Sequence, residues 1–349
     1  MKKINYNWEI LALARFILAM VVLLQHVSSI FQHNNLAVQW YGKLGAFEAV
    51  LGFLLISGLS IGKSIQRNQS RFFKRRLQRI YPVYIVSMFI SYAADPDPIT
   101  IYLFLTIIIN LVFLNQIFTR MSFVIVAWSL SLEVWLYALA PLLYKLSFKT
   151  LIIITYVSFA AFLFYTVGRT KFHWPYYSNV KYGINLLLLS FIWVAGFMYS
   201  VYPQKRKFLI INVAIFFIVY IMLTAVIQLL HDIKHHRYEV FFNSELIFFF
   251  LQSLCLTFVF VVVFFNNYIT NLPVGAKKAL NLLGNISYPL YLTNRSVIIF
   301  FSYHQIVSPV AAIFGALLVA FLVYWLFDFY SKKRVRNETE KEYKQSFQV

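Results

Sequence analysis

Apolar runs of about 20 residues recur along the chain from one end to the other. A single α-helix needs about 20 consecutive, mostly apolar residues to cross the hydrocarbon core of a bilayer. Charged residues make up 12% of the chain, which is about half the fraction usual in a soluble domain. The sequence therefore predicts an all-α fold, a polytopic transmembrane helical bundle.

The apolar runs predict about ten spans. We place them near residues 8–30, 46–62, 80–94, 122–145, 150–168, 183–202, 207–230, 245–265, 282–303 and 307–330. An eleventh apolar stretch, residues 99–118, follows two Asp-Pro pairs and ends in Asn115 and Gln116. Because proline breaks a helix, this stretch is either another span or a re-entrant or broken segment.

The distribution of Lys and Arg distinguishes these two interpretations. If the stretch is re-entrant, both termini are cytoplasmic, and 22 Lys and Arg residues face the cytoplasm while 6 face outside. If it spans, every later loop changes side and the basic C-terminus faces outward. Positive residues concentrate on the cytoplasmic side, which favours the re-entrant interpretation. We therefore expect an integral membrane domain over residues 1–330 and a charged cytoplasmic tail over residues 331–349.

The net charge of +19 comes from 31 Lys and Arg residues against 12 Asp and Glu residues. Nucleic-acid binding is one explanation of such an excess, but these basic residues lie between apolar spans, where membrane topology already predicts them. We therefore expect no nucleic acid among the partners, and expect membrane lipids and an anionic cosubstrate instead. The single cysteine, Cys255, lies in an apolar run, where a thiol is usually inert.

Two ionisable residues lie inside the first apolar run. Arg15 and His26 are separated by eleven positions, which is roughly 16 Å along a helix axis and nearly the same azimuth. Ionisable side chains are costly in a span and indicate a functional site by default. The spacing predicts a buried reaction path along one face of the first helix, with a cation at one level and a titratable base at another.

A second group of charges lies in residues 63–79, which we expect to form a cytoplasmic loop. Arg75, Arg76 and Arg79 recur in it at helical spacing. Several guanidinium groups could therefore converge on one phosphate-bearing ligand. The alternative is that these residues only set the topology and contact lipid headgroups.

Polar side chains also occur inside two later spans. If Glu133 is buried, its carboxylate must be paired, protonated or in contact with water. It either has a functional role or forms a structural ion pair between helices. Asn294 and Arg295 lie well inside a span, where helix packing alone does not explain them. We predict that Trp128, Ser131, Asn294 and Arg295 bind substrate and that Glu133 takes part in catalysis.

Three histidines, His231, His235 and His236, resemble a metal-binding cluster. Their spacing is loose, and Lys234 and Arg237 lie beside them in an outer loop. We therefore expect no metal site in this protein.

Five short motifs run along the chain in a fixed order. They are Arg15-x10-His26, Gly52-Phe53-Leu54-Leu55-Ile56-Ser57-Gly58-Leu59, Arg75-Arg76-x2-Arg79-Ile80-Tyr81-Pro82-x-Tyr84, Trp128-Ser129-Leu130-Ser131-Leu132-Glu133 and Gly284-x-Ile286-Ser287-Tyr288-x2-Tyr291-Leu292. Each motif alone is weak, whereas the ordered set is specific and extends from the first helix to the last. Together they resemble acyltransferase family 3, the multi-pass membrane O-acyltransferases.

The resemblance implies a ten-helix enzyme that takes an acyl group, usually acetyl, from cytoplasmic acyl-CoA. The enzyme passes this group to a hydroxyl of a carbohydrate or lipid-linked glycan at the outer face. The implied cosubstrate is acetyl-CoA or another short acyl-CoA, without a metal. The implied location is a bacterial inner or plasma membrane, where the protein would meet partners of glycan synthesis.

The resemblance also implies roles for individual residues. His26 matches the histidine taken as the catalytic base or acyl relay, and Arg15 matches an arginine that helps to hold the donor. The motif of Arg75, Arg76 and Arg79, which is completed by Tyr84, lies on the donor side.

Two residues stand apart from that pattern. Glu133 is a candidate to orient the imidazole of His26 or to bind the acceptor, which is our own prediction. Asn294 occupies a position where the family often has a histidine.

Two other classes of function fit the same sequence. A transporter or exporter of a glycan or small metabolite would also have polar residues at mid-membrane and broken helices, without covalent chemistry. A membrane scaffold for a glycan-synthesis complex would need none of the ionisable residues for catalysis.

Overall fold

The computed structural model describes residues 6–31, 36–69, 72–96, 98–119, 122–269, 272–306 and 308–328. The regular elements within these ranges are all helical. They are α1 (Trp8–Phe31), α2 (Leu36–Tyr41), α3 (Ala46–Arg67), α4 (Phe72–Ala94), α5 (Ile101–Leu111), α6 (Asn115–Phe118), α7 (Trp128–Lys145), α8 (Phe148–Phe172), α9 (Ile184–Val201), α10 (Arg206–Lys234), α11 (Tyr238–Val240), α12 (Leu246–Phe265), α13 (Val274–Tyr303) and α14 (Pro309–Val323). The predicted all-α fold is confirmed.

Within the described residues, eight helical segments are long and apolar enough to cross a membrane, and they contain α1, α3, α7, α8, α9, α10, α12 and α14. The predicted fold class, a multi-pass membrane bundle of helices, is therefore confirmed. Helices α4 and α13 are 23 and 30 residues long, but each carries basic residues near its start. Ten spans and cytoplasmic termini stay predictions, and the tail over residues 331–349 lies outside the described residues.

The ambiguous stretch, residues 99–118, is a broken segment. Helix α5 has 11 residues and rises about 16 Å, roughly half the thickness of a hydrocarbon core. The chain then turns at Phe113, whose φ of 57° is in the left-handed region, and continues in the four-residue α6. One continuous spanning helix, the alternative that the sequence left open, is not observed.

Three side chains from neighbouring helices stabilise this turn. Tyr81, Tyr84 and Trp135 donate hydrogen bonds of 2.7, 3.2 and 2.9 Å to backbone carbonyls between residues 110 and 113. Irregular backbone at membrane depth requires such partners, because lipid offers no hydrogen bonds. The hydroxyl of Tyr84 thus supports the turn. The sequence had assigned Tyr84 to the donor site.

The basic segment is mostly helical rather than a loop. Helix α3 continues to Arg67 and α4 begins at Phe72, so only a short connection separates them. Arg75, Arg76 and Arg79 consequently lie on the first two turns of α4. The prediction of a loop over residues 63–79 was wrong, because the apolar periodicity that marks the span begins later than the helix itself.

Glycines allow two pairs of helices to approach closely. A Cβ atom on Gly58 would lie 2.0 Å from the carbonyl oxygen of Trp193, and one on Gly196 would lie 2.2 Å from that of Leu55. Helices α3 and α9 therefore touch backbone to backbone, as small residues permit in membranes. This contact fixes the position of α3, which forms one wall of the site described below.

Helix α13 packs against α1 in the same way. A Cβ atom on Gly284 would lie 2.4 Å from the Cβ atom of Ala12. Further along both helices, His26 contacts Asn294. The two contacts follow the same order along both helices, so the helices run in the same direction and Asn294 comes to the level of His26.

Candidate active site

A cavity lies between α1, α3, α4, α7 and α13, and it contains about 920 Å³ of empty space when the open solvent at its mouth is included. Its walls are formed by Arg15, Phe53, Ile56, Ser57, Ser60, Ile61, Arg76, Arg79, Ile80, Ser129, Leu130, Glu133, Tyr137, Ser287, Tyr288 and Tyr291. All five sequence motifs contribute to this wall. The motifs, which are scattered along the chain, therefore meet in one place.

The charge of the cavity is strongly positive. Arg15, Arg76 and Arg79 face a single carboxylate, that of Glu133, among the described lining residues. The buried Nε atom of Arg15 has no hydrogen-bond partner within the described part of the chain. Three guanidinium groups from two helices, one of them with an unused donor, favour an anionic ligand with several oxygen atoms.

Glu133 is held by a chain of hydrogen bonds within the cavity wall. The hydroxyl of Tyr137, one turn further along α7, donates to Oε2 of Glu133. Ser57 lies 3.0 Å from the same hydroxyl, and Trp193 Nε1 donates to the Ser57 hydroxyl at 3.3 Å. A buried carboxylate needs such partners, and the nearby arginines compensate its charge.

His26 lies outside the cavity wall and forms a pair with Asn294. Its Nδ1 atom is 2.6 Å from Oδ1 of the Asn294 side chain. Asn294 is completely buried, and His26 is partly buried as a whole residue.

This arrangement bears on two expectations about His26. Glu133 was a candidate to orient the imidazole or to bind the acceptor; the observed partner of His26 is Asn294 and that of Glu133 is Tyr137, so the orienting contact is not observed and acceptor binding stays a prediction. Arg15 and His26 were expected to share one path; among the described residues Arg15 borders the cavity and His26 does not, and a shared path stays a prediction. Eleven residues along α1 separate the two levels by roughly 16 Å.

Several other predicted residues also lie away from the cavity wall. Arg75 donates to a backbone carbonyl at 2.8 Å on the outside of the bundle, so it differs from Arg76 and Arg79. The hydroxyl of Ser131 is buried and donates to Asn115 at 2.5 Å, which ties α7 to the broken segment.

The remaining two predicted residues have different environments. Trp128 is buried in the core at the start of α7. Arg295 follows Asn294 along α13, and its buried Nε atom has no hydrogen-bond partner among the described residues. A direct substrate contact of Trp128, Ser131, Asn294 or Arg295 stays a prediction, and none of them borders the cavity.

Some wall residues were not predicted individually. Ser57, Ser129 and Tyr291 lie inside the recognised motifs, but motif membership does not indicate which side chains face inward. Tyr137 could have been found from its spacing, because four positions after Glu133 is one helical turn.

Comparison with known proteins agrees with this geometry. A family model described as an acyltransferase domain, that of acyltransferase family 3, matches residues 8–329. The chain belongs to acyltransferase family 3. The matched region includes every motif and all the lining residues of the cavity.

A relative from Acidianus two-tailed virus, named "Putative acetyltransferase ORF330", is 25% identical over 210 residues. The match covers 52% of this chain, and the chain spans about 60% of the length of that relative. No solved structure matches the chain.

Proposed function

We propose that the protein is a membrane O-acyltransferase that moves an acyl group from cytoplasmic acyl-CoA to a hydroxyl of a cell-envelope or extracellular carbohydrate. Membership of acyltransferase family 3 and the name of the viral relative support an acyl-transfer reaction, and that name favours acetyl. The observation that carries the proposal is the basic cavity, with three arginines around one carboxylate.

The donor requires a site of this kind. Coenzyme A carries phosphate groups at one end and its thioester at the end of a long flexible arm. Arg76 and Arg79 lie at the start of α4, which is cytoplasmic in the predicted topology, so they would meet the phosphates first. Arg15, which lines the same cavity from α1, would hold the part of the donor that enters the bundle.

His26 would supply the base for the transfer. Its imidazole takes the proton of the acceptor hydroxyl while that oxygen attacks the thioester carbon. The carbon–sulfur bond then breaks, and the proton held by His26 passes to the departing sulfur. The acyl group ends on the sugar oxygen, and free coenzyme A leaves.

The acceptor would approach from the opposite side. His26 lies in the half of α1 that is outer in the predicted topology, roughly 16 Å from the level of Arg15. A hydroxyl of an outer-face glycan could reach it there, while the phosphates of the donor stay near the cytoplasmic side and the flexible arm carries the thioester to the level of His26. A bacterial inner or plasma membrane fits this arrangement.

The experiment uses purified protein in lipid with acetyl-CoA labelled in the acetyl group and a glycan acceptor. We expect label to move to the acceptor or, more slowly, to water, and this movement to stop in His26→Ala. Movement of the acceptor across the membrane without release of label would contradict the proposal and favour a transporter.

A further inference from the structure

The contact between His26 and Asn294 also indicates which ring nitrogen of the histidine carries a proton. Nδ1 of the imidazole and Oδ1 of the amide are 2.6 Å apart. Either the ring nitrogen donates to the oxygen, or the amide is turned round and its nitrogen donates to the ring. The other contacts of Asn294 distinguish these two arrangements.

Both hydrogens of the Asn294 amide nitrogen have acceptors elsewhere. Nδ2 lies 2.9 Å from the carbonyl oxygen of Leu290 and 2.8 Å from that of Tyr291. Backbone carbonyls only accept hydrogen bonds, so the amide group facing them must be the NH₂. Turning the amide would place its oxygen against two carbonyl oxygens in a fully buried position, which is costly.

The orientation of the amide determines the position of the proton on the imidazole. Because Oδ1 of Asn294 accepts only, Nδ1 of His26 must carry a hydrogen. The neutral ring then has its free electron pair on Nε2. The second ring nitrogen of a histidine is commonly set in this way by the partner of the first.

We propose that Asn294 is a positioning residue that holds His26 in the Nδ1–H tautomer and leaves Nε2 as the atom that takes the acceptor proton. This inference rests on the proposed function for the role of Nε2. It assigns to Asn294 the orientation of the imidazole, a role that the sequence had suggested for Glu133.

Tyr291 connects the pair to the wall of the cavity. The ring of Tyr291 lines the cavity, while its backbone carbonyl is one of the two acceptors that fix Asn294. A neutral amide suits this fully buried position, because it orients the proton on Nδ1 without placing a charge in the protein interior.

The test is nitrogen-15 NMR of histidine-labelled protein in lipid, without substrate. The chain has seven histidines, and the signals of His26 are those that disappear in His26→Gln. We expect a protonated Nδ1 and an unprotonated Nε2 in the wild type. The opposite tautomer in the wild type would overturn the proposal, and His26→Gln serves only to assign the signals.

Three variants connect the tautomer to turnover. Asn294→Leu should give a mixture of tautomers and lower kcat by about 10-fold at an unchanged KM for acetyl-CoA, because only the fraction of rings with an unprotonated Nε2 can act as the general base. Asn294→Asp, which still presents an accepting oxygen, should restore the Nδ1–H tautomer and part of kcat. Thr293→Val should change neither quantity, since its buried hydroxyl donates to the backbone carbonyl of Pro289 within α13.

The possible failures can be told apart. An Nδ1–H tautomer together with no turnover of acetyl-CoA by the wild type would refute the proposed function and leave the role of Asn294 in holding the ring intact. Turnover by Asn294→Leu at the wild-type rate would refute the positioning role and leave the proposed function intact.

Discussion

Helix α1 contributes one residue to the basic cavity and one to the His26–Asn294 pair, and the two regions differ in almost every other respect. The cavity is assembled from five helices and contains three arginines and one carboxylate. The pair is assembled from α1 and α13 and involves two side chains that are uncharged when the imidazole is neutral. An anion is best held by several cations that converge from different directions, whereas proton transfer needs one imidazole in one orientation.

The largest effect should come from the pair. We expect His26→Ala to lower acyl transfer by about 10²- to 10⁴-fold, the contribution usual for a positioned base, and to leave acetyl-CoA binding unchanged. Turnover and equilibrium binding of acetyl-CoA measure the two quantities separately. His235→Ala, at an exposed histidine, is the matched control. A loss of acetyl-CoA binding in His26→Ala would show that the pair and the cavity form a single binding site.

The cavity should respond in the opposite way. Arg76→Ala removes a charged partner of the donor, which is worth about 1.5–3 kcal/mol, so KM for acetyl-CoA should rise about 10- to 150-fold. Arg75→Ala is the neighbouring control, because Arg75 points away from the cavity and bonds a backbone carbonyl. Equal effects of the two variants would show that the charge of the whole segment matters rather than the wall of the cavity.

Packing behind the cavity should matter less. Gly58→Ala would force a methyl group to within 2.0 Å of a backbone oxygen on α9, and such overpacking costs about 1–3 kcal/mol. We expect a lower melting temperature and weaker donor binding, because Ser57 and Ser60 on the same helix line the cavity. Gly275→Ala, which has no atom within 4 Å of the added carbon, should change neither quantity.

The smallest effect should come from the broken segment. Tyr84→Phe removes one hydrogen bond of 3.2 Å at the turn, which is worth about 0.5–1.5 kcal/mol. The free energy of unfolding should fall slightly, and KM for acetyl-CoA should stay as in the wild type. A tenfold rise in KM would instead support the role in donor binding that the sequence motif assigned to Tyr84.

Much of the fold could be predicted, because a bilayer permits few solutions. The apolar runs located the long helices, and two Asp-Pro pairs with a polar end located the broken segment. The start of α4 was misplaced, since its first two turns are basic and lack the apolar signal. Helix boundaries outside the hydrocarbon are set by hydrogen bonding, which composition reflects only weakly.

The sequence predicted which residues belong to the site better than it predicted which of them contact each other. Arg15, Arg76, Arg79 and Glu133 meet in the cavity, as their motifs suggested. Arg75 stands one position before Arg76 and nevertheless points elsewhere, because adjacent residues of a helix are turned by about 100°.

The sequence by itself determined that this is a helical membrane protein of acyltransferase family 3, since hydrocarbon thickness and ordered motifs constrain a chain locally. The tertiary structure alone decided which side chains meet. The partner of His26 lies 268 positions away at Asn294, and the close contact of Gly284 with Ala12 aligns the two helices that carry them. Such a pairing depends on how far two helices approach and at which register, which neither segment encodes without the other.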